Sequence, residues 1–448
     1  MLAGLVLVLA RSMNVEAVSS VNGLSALKAD AIEQGAVQYV LAHVDGLQGK
    51  MPTDDEMPAE AVQLGDGLFW IVKPNFENDR EYAFGVVDEG SKLNLNTSST
   101  SMLAMLPNVT DELTASLADW RNTDYSKGPS QNGAMSEYYL TLPDPYLCKN
   151  SPFETVEELF LVKGATTSAI FGEDTNRNGV LDPNEDDGSI SDPPDNRDGK
   201  LDRGLYAYLT TWSLDPDLTV DGKPRTNVTG GPPVVRPGQT PPPSLNAVVK
   251  KYLGGSRQSE VLGFLNPTQP KPRPNFSGVL DFYVQAKLTP DEFAPMADQL
   301  SDGRNPRGRI NVNTAPKEVL ACLPGLEDAD VQSLLTARTG ASTDTTNLAW
   351  VAEALNKDRR KCAAIGPLIT VRAYRFCADI VSVSGDGRAF RRCRVIVDAT
   401  KTPPKVIYRQ DLTRLGWPLS EDLLTKLRSG VSTDDIAAAR KIRQEDTP

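Results

Sequence analysis

The sequence predicts an α+β fold: a long N-terminal helix packed on an antiparallel sheet, with a large and mainly helical domain inserted between the strands. Two observations frame that expectation. Residues 1 to about 46 place apolar side chains at helical spacing with no proline before Pro52. Strand-like stretches then lie near both ends of the chain, separated by about 270 residues of mainly helical pattern. The 448 residues leave room for about three folded units at roughly 150 residues each. With 40% hydrophobic and 24% charged residues, the chain can bury a sizeable core.

The helix begins in MLAGLVLVLA, ten nearly all apolar residues, and Arg11 follows directly. At ~1.5 Å rise per residue this run crosses only about half of a ~30 Å hydrocarbon core. Val15, Val18, Val21, Leu24, Leu27, Ala31, Val37, Leu41 and Val44 then continue the helix in amphipathic form. A buried first helix is one reading. The reading preferred here makes residues 1–46 a stem with a truncated membrane anchor, and expects the rest of the span, a basic leader and a cleavage site upstream.

Residues 47–95 supply the first part of the α/β domain, with strands expected over 67–73 and 81–87. Residues 367–415 close the sheet. Stretches 368–383 and 388–399 are rich in β-branched and aromatic residues and flank Ser384-Gly385-Asp386-Gly387, a hairpin signal, and a third strand over 405–410 follows Pro403-Pro404. Cys377 and Cys393 flank that turn, as a disulfide or as two small buried residues; the five cysteines show no CxxC spacing and no zinc site. Residues 416–448 form a tail with a short helix from Ser432-Thr433-Asp434-Asp435 into AAARKIR, to which no function is assigned.

The inserted domain, 96–366, contains a repeat. Residues 93–121 and 310–338 align without gaps, and Asn94, Asn96, Thr97, Leu103, Ala104, Leu106, Pro107, Asp111, Ser116, Leu117 and Arg121 recur identically. The pattern is a short strand, a Thr suited to cap the next helix, an apolar helix ending at Leu-Pro, and a second helix opened by Asp. Its plain meaning is a duplicated packing unit. The alternative is a helix-hairpin-helix that grips nucleic acid, as in a DNA-binding or DNA-uptake protein. The first copy, however, has Asn108-Val109-Thr110 in its hairpin, and the second follows Gly325 with Glu327, Asp328 and Asp330. Carboxylates there repel phosphate, as does the formal charge of −12. A proline-rich segment, 222–244, containing GGPPVVRPGQTPPPS, reads as a solvated linker or loop.

Residues 173–202 hold ten carboxylates against Arg177, Arg197 and Lys200. The spacing is tighter than a solvated charge run. Asp174, Asn176, Asn178, Asp182 and Glu185 fall at positions 1, 3, 5, 9 and 12 of an EF-hand-type loop, with Gly179 at position 6 and the Val180 carbonyl at 7. That set predicts bound Ca2+. A partial echo of the loop, Asn196, Asp198 and Asp202, has Pro194 and Leu205 at its ends. A second ion would need Asp192 or Asp195, or a share of Asp186 or Asp187, and Asp192 enters the predicted second set with Asn196, Asp198 and Asp202. Catalysis has little support: there is one histidine, His43, and no Walker loop, GxSxG elbow or HExxH.

The stem, Val86-Val87-Asp88-Glu89-Gly90-Ser91-Lys92-Leu93-Asn94-Leu95-Asn96, Ser151-Pro152-Phe153-Glu154-Thr155-Val156-Glu157-Glu158-Leu159, Ile310-Asn311-Val312-Asn313-Thr314-Ala315-Pro316 and the closing hairpin together resemble the type II secretion minor pseudopilin K family. The resemblance implies a pilin-like fold and a non-enzymatic role: a cap on the tip of the secretion pseudopilus, beside minor pseudopilins I and J, supporting protein export across the outer membrane. It also implies an inner-membrane anchor, a periplasmic head and calcium in the inserted domain. A minor pilin of a related type IV pilus system is the alternative within this class. The chain departs from the family in lacking the leader and cleavage site, in its proline-rich segment, and in extending about thirty residues past the sheet.

Overall fold

A computed structural model describes residues 2–124, 126–231, 240–268, 272–303 and 307–445. The stem is one helix, Leu2–Val44. Its second half carries Ile32, Ala36, Val37, Val40 and Val44 on one face, and all five are buried against the sheet. Gly35 lets the strand Val62–Leu64 come close: a Cβ at that position would stand 2.4 Å from a Leu64 methyl. The first half stands clear. From Val6 to Leu24 the described side chains are exposed, with Val8 at 71% and Met13 at 63%.

The membrane-anchor expectation is corrected here. Among the described residues no helix is long and apolar enough to cross a membrane. The apolar run is too short, and Arg11, Ser12, Asn14 and Glu16 continue the same helix.

Among the described residues the main sheet has seven antiparallel strands. Its path runs Val62–Leu64, Gly67–Lys73, Arg375–Val383, Phe390–Asp398 and Lys405–Asp411, with Ala83–Phe84 and Val87–Asp88 as short additions. Strands from both ends of the chain meet at its centre, where Ile380 stands opposite Ile71 on one side and Cys393 on the other. Alternation sorts the side chains. Phe69, Ile71, Phe376, Ala378 and Ile380 face the stem helix, while Leu68, Trp70, Val72, Val381 and Val383 face the opposite way.

That second face is not open. The tail forms two helices, Glu421–Arg428 and Thr433–Glu445, and Leu419, Leu424, Leu427 and Ile436 pack on it. Trp417 meets the Trp70 and Phe390 rings edge-on, with centroids 5.8 and 5.6 Å away. The same register separates the two hairpin cysteines. Cys377 pairs with Ile396 and Cys393 with Ile380, three positions apart and therefore on opposite faces, and both thiols are free.

The insertion has its own core, extending from Leu93 to Ile369. Each repeat enters it by the same device. Leu93–Asn94 pairs in parallel with Leu209–Thr210, and Ile310–Asn311 pairs in parallel with Ile369–Thr370. The recurring asparagines brace the turn that follows: Asn94 Oδ1 accepts the Asn96 amide at 2.9 Å, and Asn311 Oδ1 accepts the Asn313 amide at 3.1 Å. Arg121 donates to the Ser98 carbonyl and Arg338 to the equivalent Ala315 carbonyl. The threonines do not cap. Ser99 caps the helix Thr100–Leu103, and Thr314 instead donates to Asp88. Of the proline-rich segment, residues 232–239 lie outside the described residues; its end is tied down where Pro243 accepts a bond from Thr226 and Ser244 caps Leu245–Tyr252.

Candidate metal centre

The acidic segment is a loop closed at its neck. The helix Thr167–Phe171 ends at Gly172, which bridges to Arg203, and the Glu173 amide donates to the Asp202 carbonyl at 2.9 Å. Gly172 has φ +65°, and a Cβ there would stand 1.9 Å from the Asp202 carbonyl oxygen, so the neck admits no side chain.

Within this loop the first twelve residues curl inward. Arg177 and Gly179 both adopt positive φ, 58° and 76°. The Asp174 carboxylate accepts the Asn178 and Gly179 amides at 3.0 Å each, and Asn178 Oδ1 accepts the Val180 amide at 2.7 Å. Pro183 opens a 3₁₀ turn, Pro183–Glu185, that brings Glu185 back across the loop. Its carboxylate accepts from the Thr175 amide at 2.9 Å and the Asp182 amide at 3.2 Å. Asn176 and Asn178 donate their side-chain amides to Asp182 at 2.6 and 3.0 Å. The six predicted ligand positions are thus linked through one turn of chain.

The electrostatics of this turn follow from enclosure. Burial lifts Asp174 to about 6, against which the Gly179 amide and the Arg392 charge pull. Burial, and then the Asp174 charge, lift Glu185 to about 7. Both carboxylates are therefore disfavoured as anions unless a cation stands between them. A hard cation would accept this donor set, three carboxylates, two amide oxygens and a carbonyl, once the two asparagine amides turn oxygen inward. Among the described residues no group of three or more His, Cys, Asp or Glu is already gathered as a metal cluster.

The echo is assembled differently from its expectation. Asp192 is exposed, as are Asn196 and Asp198 of the same predicted set. Asn196 Oδ1 accepts the Asp198 amide at 2.8 Å, and Asn196 approaches Asp202 at 3.4 Å. The Gly199 amide, equivalent to Gly179, donates to Asp186 at 3.2 Å. The Asp202 amide, equivalent to that of Asp182, donates to Glu173 at 3.0 Å. Asp186 and Glu173 thus take the opening and closing roles, and they are the residues immediately flanking the first loop. Sharing of Asp186 was an open option in the sequence; Glu173, which precedes both loops, left no spacing signal.

Three distant pieces hold the loops in place. Arg392, wholly buried, grips Asp379 with two bonds of 2.9 Å and donates to the Asn176 and Arg177 carbonyls at 2.5 and 2.8 Å. Asn178 also donates to the Pro418 carbonyl of the tail at 3.0 Å. Asp79, from the first sheet segment, accepts the Leu201 amide and pairs with Arg203 at 2.7 Å.

The helical hairpins offer no comparable anion site. At the second, Glu327 and Asp330 cap each other across the start of Asp328–Arg338, and Lys361 is held by Asp330 at 2.7 Å. The amides a phosphate would use are taken by carboxylates.

Comparison with known proteins bears on the same regions. Two family models described as type II secretion system protein K match, over residues 94–170 and 310–359. No curated protein matches. Among solved structures, the chain is similar to one in the GspK-GspI-GspJ complex of the enterotoxigenic Escherichia coli type 2 secretion system, at 11% identity and TM-score 0.44, covering 88% of this chain and 99% of that one.

Proposed function

We propose that the chain is a non-enzymatic minor pseudopilin of the type II secretion protein K family, whose models match residues 94–170 and 310–359, and that it caps the tip of the secretion pseudopilus. The observation that carries the reading is the stem. Its first half is exposed from Val6 to Leu24, while its second half is committed to the sheet. An isolated helix gains little from standing free with Val8, Leu9, Met13, Val15 and Leu24 in water, so neighbouring helices are its natural cover. We assign that surface to the stems of minor pseudopilins I and J. The insertion supports a terminal position, because a body of about 270 residues on the head obstructs a subunit stacking above it.

We also propose that the loop from Asp174 to Glu185 binds Ca2+ through Asp174, Asn176, Asn178, Asp182, Glu185 and the Val180 carbonyl. A second ion would use Asn196, Asp198 and Asp202 with Asp186 and Glu173. Calcium supplies charge neutralisation here and no chemistry. What this chain contributes is the seat: Arg392 holds the loop against the sheet through the Asn176 and Arg177 carbonyls.

The test of the cap is association. The full chain, mixed with pseudopilins I and J at micromolar concentration, should elute with them, and charged substitutions at Val15 and Val18 should release them. Separate elution of all three proteins would end the tip assignment.

A further inference from the structure

One short stretch of the insertion keeps large apolar side chains in water. Tyr138, Leu140, Leu147, Phe160 and Leu161 are all exposed, Leu140 at 52% and Leu147 at 66%. Elsewhere among the described residues of the insertion, only Met105, Ile190 and Val220 are comparable, and they are far apart in sequence. Isolated exposed apolar residues are ordinary; a joined set marks a docking surface.

This set is joined. The Tyr146 amide donates to the Tyr139 carbonyl at 3.4 Å, closing the loop that carries Leu140, and the Tyr146 hydroxyl donates to the Leu161 carbonyl at 2.8 Å. The Lys163 amide donates to the Tyr139 hydroxyl at 3.2 Å. The Tyr139 and Tyr146 rings stack with centroids 5.2 Å apart, and Tyr138 meets Tyr139 edge-on at 5.3 Å. Tyr139 is itself buried against Trp120, so the aromatic floor is anchored in the core of the insertion while its rim stays in water.

The charge around this face has one sign. Residues 137–163 hold five carboxylates against Lys149 and Lys163. Both lysines are already taken: Lys163 pairs with Glu112 at 2.9 Å, and Lys149 with Glu158 at 2.8 Å and Glu154 at 3.4 Å. Glu137 and Asp144 are exposed, and among the described residues neither forms an ion pair. The acidic loop adds to the same field, since it begins just after Phe171, whose ring centroid lies 5.4 Å from that of Phe160. Such a field repels nucleic acid and anionic lipid and attracts a cationic partner. Strand addition is not available either, because among the described residues no strand lies between Leu93–Asn94 and Leu209–Thr210. Contact must be made by side chains.

We propose that this face docks a partner protein through a cationic amphipathic helix. Its apolar side covers Leu140, Leu147, Phe160 and Leu161, and its lysines or arginines meet Glu137 and Asp144. The surface belongs to the insertion, so it stands apart from the assignment of the stem.

The experiment is a titration of a labelled amphipathic peptide of leucine and lysine, about 18 residues long, with the full chain at physiological ionic strength, followed by fluorescence anisotropy. The expected result is saturable binding at micromolar concentration, weakened about tenfold when Leu140→Ser and Leu147→Ser are combined. Both positions are exposed and the change removes no charge, so the variant separates the apolar contact from general attraction to an acidic protein. Exchanging the lysines of the peptide for glutamates should abolish binding. No saturable binding, equal affinity for wild type and the serine variant, or equal binding of the glutamate peptide would overturn the proposal. Binding of the wild type to anionic lipid vesicles that the serine variant loses would overturn it in favour of a lipid surface.

Discussion

Two buried aspartates on the sheet carry opposite electrostatic consequences. At Asp379 burial alone would raise the pKa, but the Arg392 and Arg394 charges outweigh it and hold the carboxyl below its usual range. Its contribution to stability is present above the unfolded value of about 4 and is lost as pH falls through the depressed one. At Asp88 burial wins. It accepts bonds from Gly90, Asn311 and Thr314, yet its pKa is raised to about 6. The folded state then holds a proton that the unfolded state has released, so Asp88 favours folding below pH 4 and loses that contribution as pH rises to about 6. Replacing Asp88 with Asn should remove this slope. The stability difference between wild type and Asp88→Asn, from chemical denaturation at several pH values, should shift by on the order of 2–3 kcal/mol between pH 4 and 7, against the wild type at the higher pH. Parallel pH profiles would show that Asp88 does not titrate in this range.

At the scale of elements, the tail has the largest structural effect for its length. Its two helices cover Leu68, Trp70, Val72, Val381 and Val383, which would otherwise form an apolar sheet face in water. Leu424 and Leu427 are 3% and 2% exposed, so truncating either to alanine should cost about 2–5 kcal/mol. Deleting residues 417–448 should do more: Trp70 would lose its Trp417 neighbour, its fluorescence should move to longer wavelength, and the protein should bind a hydrophobic dye or aggregate. A deletion variant with unchanged emission and unfolding midpoint would mean that the tail is dispensable for the fold. The repeated hairpins show the converse, a pattern whose plain meaning was sufficient: the identical asparagines and arginines serve internal bonds to equivalent backbone atoms.

For the whole molecule, the acidic loops sit where sheet, insertion and tail meet, so an ion bound there would act on the stability of all three. Calcium that binds only the folded chain stabilises it by RT ln(1 + [L]/Kd), and loops of this kind in extracellular modules bind at roughly 10⁻⁴–10⁻³ M. Millimolar calcium should therefore raise the unfolding midpoint over chelator, and Asp174→Ala with Glu185→Ala should remove the difference. Identical midpoints, with no calcium found in the purified protein, would leave a solvated acidic loop. The sequence by itself determined what depends on short spacing: the proline-free stem, the hairpin around Ser384–Gly387, the internal repeat and the twelve-residue loop pattern, because helical and strand periodicity and turn chemistry act over a few residues. Only the tertiary structure decided which distant surface meets each face. Asp88 and Asn311 are 223 residues apart, and no local pattern pairs them. The opposite faces of Cys377 and Cys393 follow from strand register. The approach of Asp186 and Glu173 to the second loop, and the tail's cover of the sheet, follow from chain crossings. An apolar stripe states that burial will occur, and the packed fold supplies the partner.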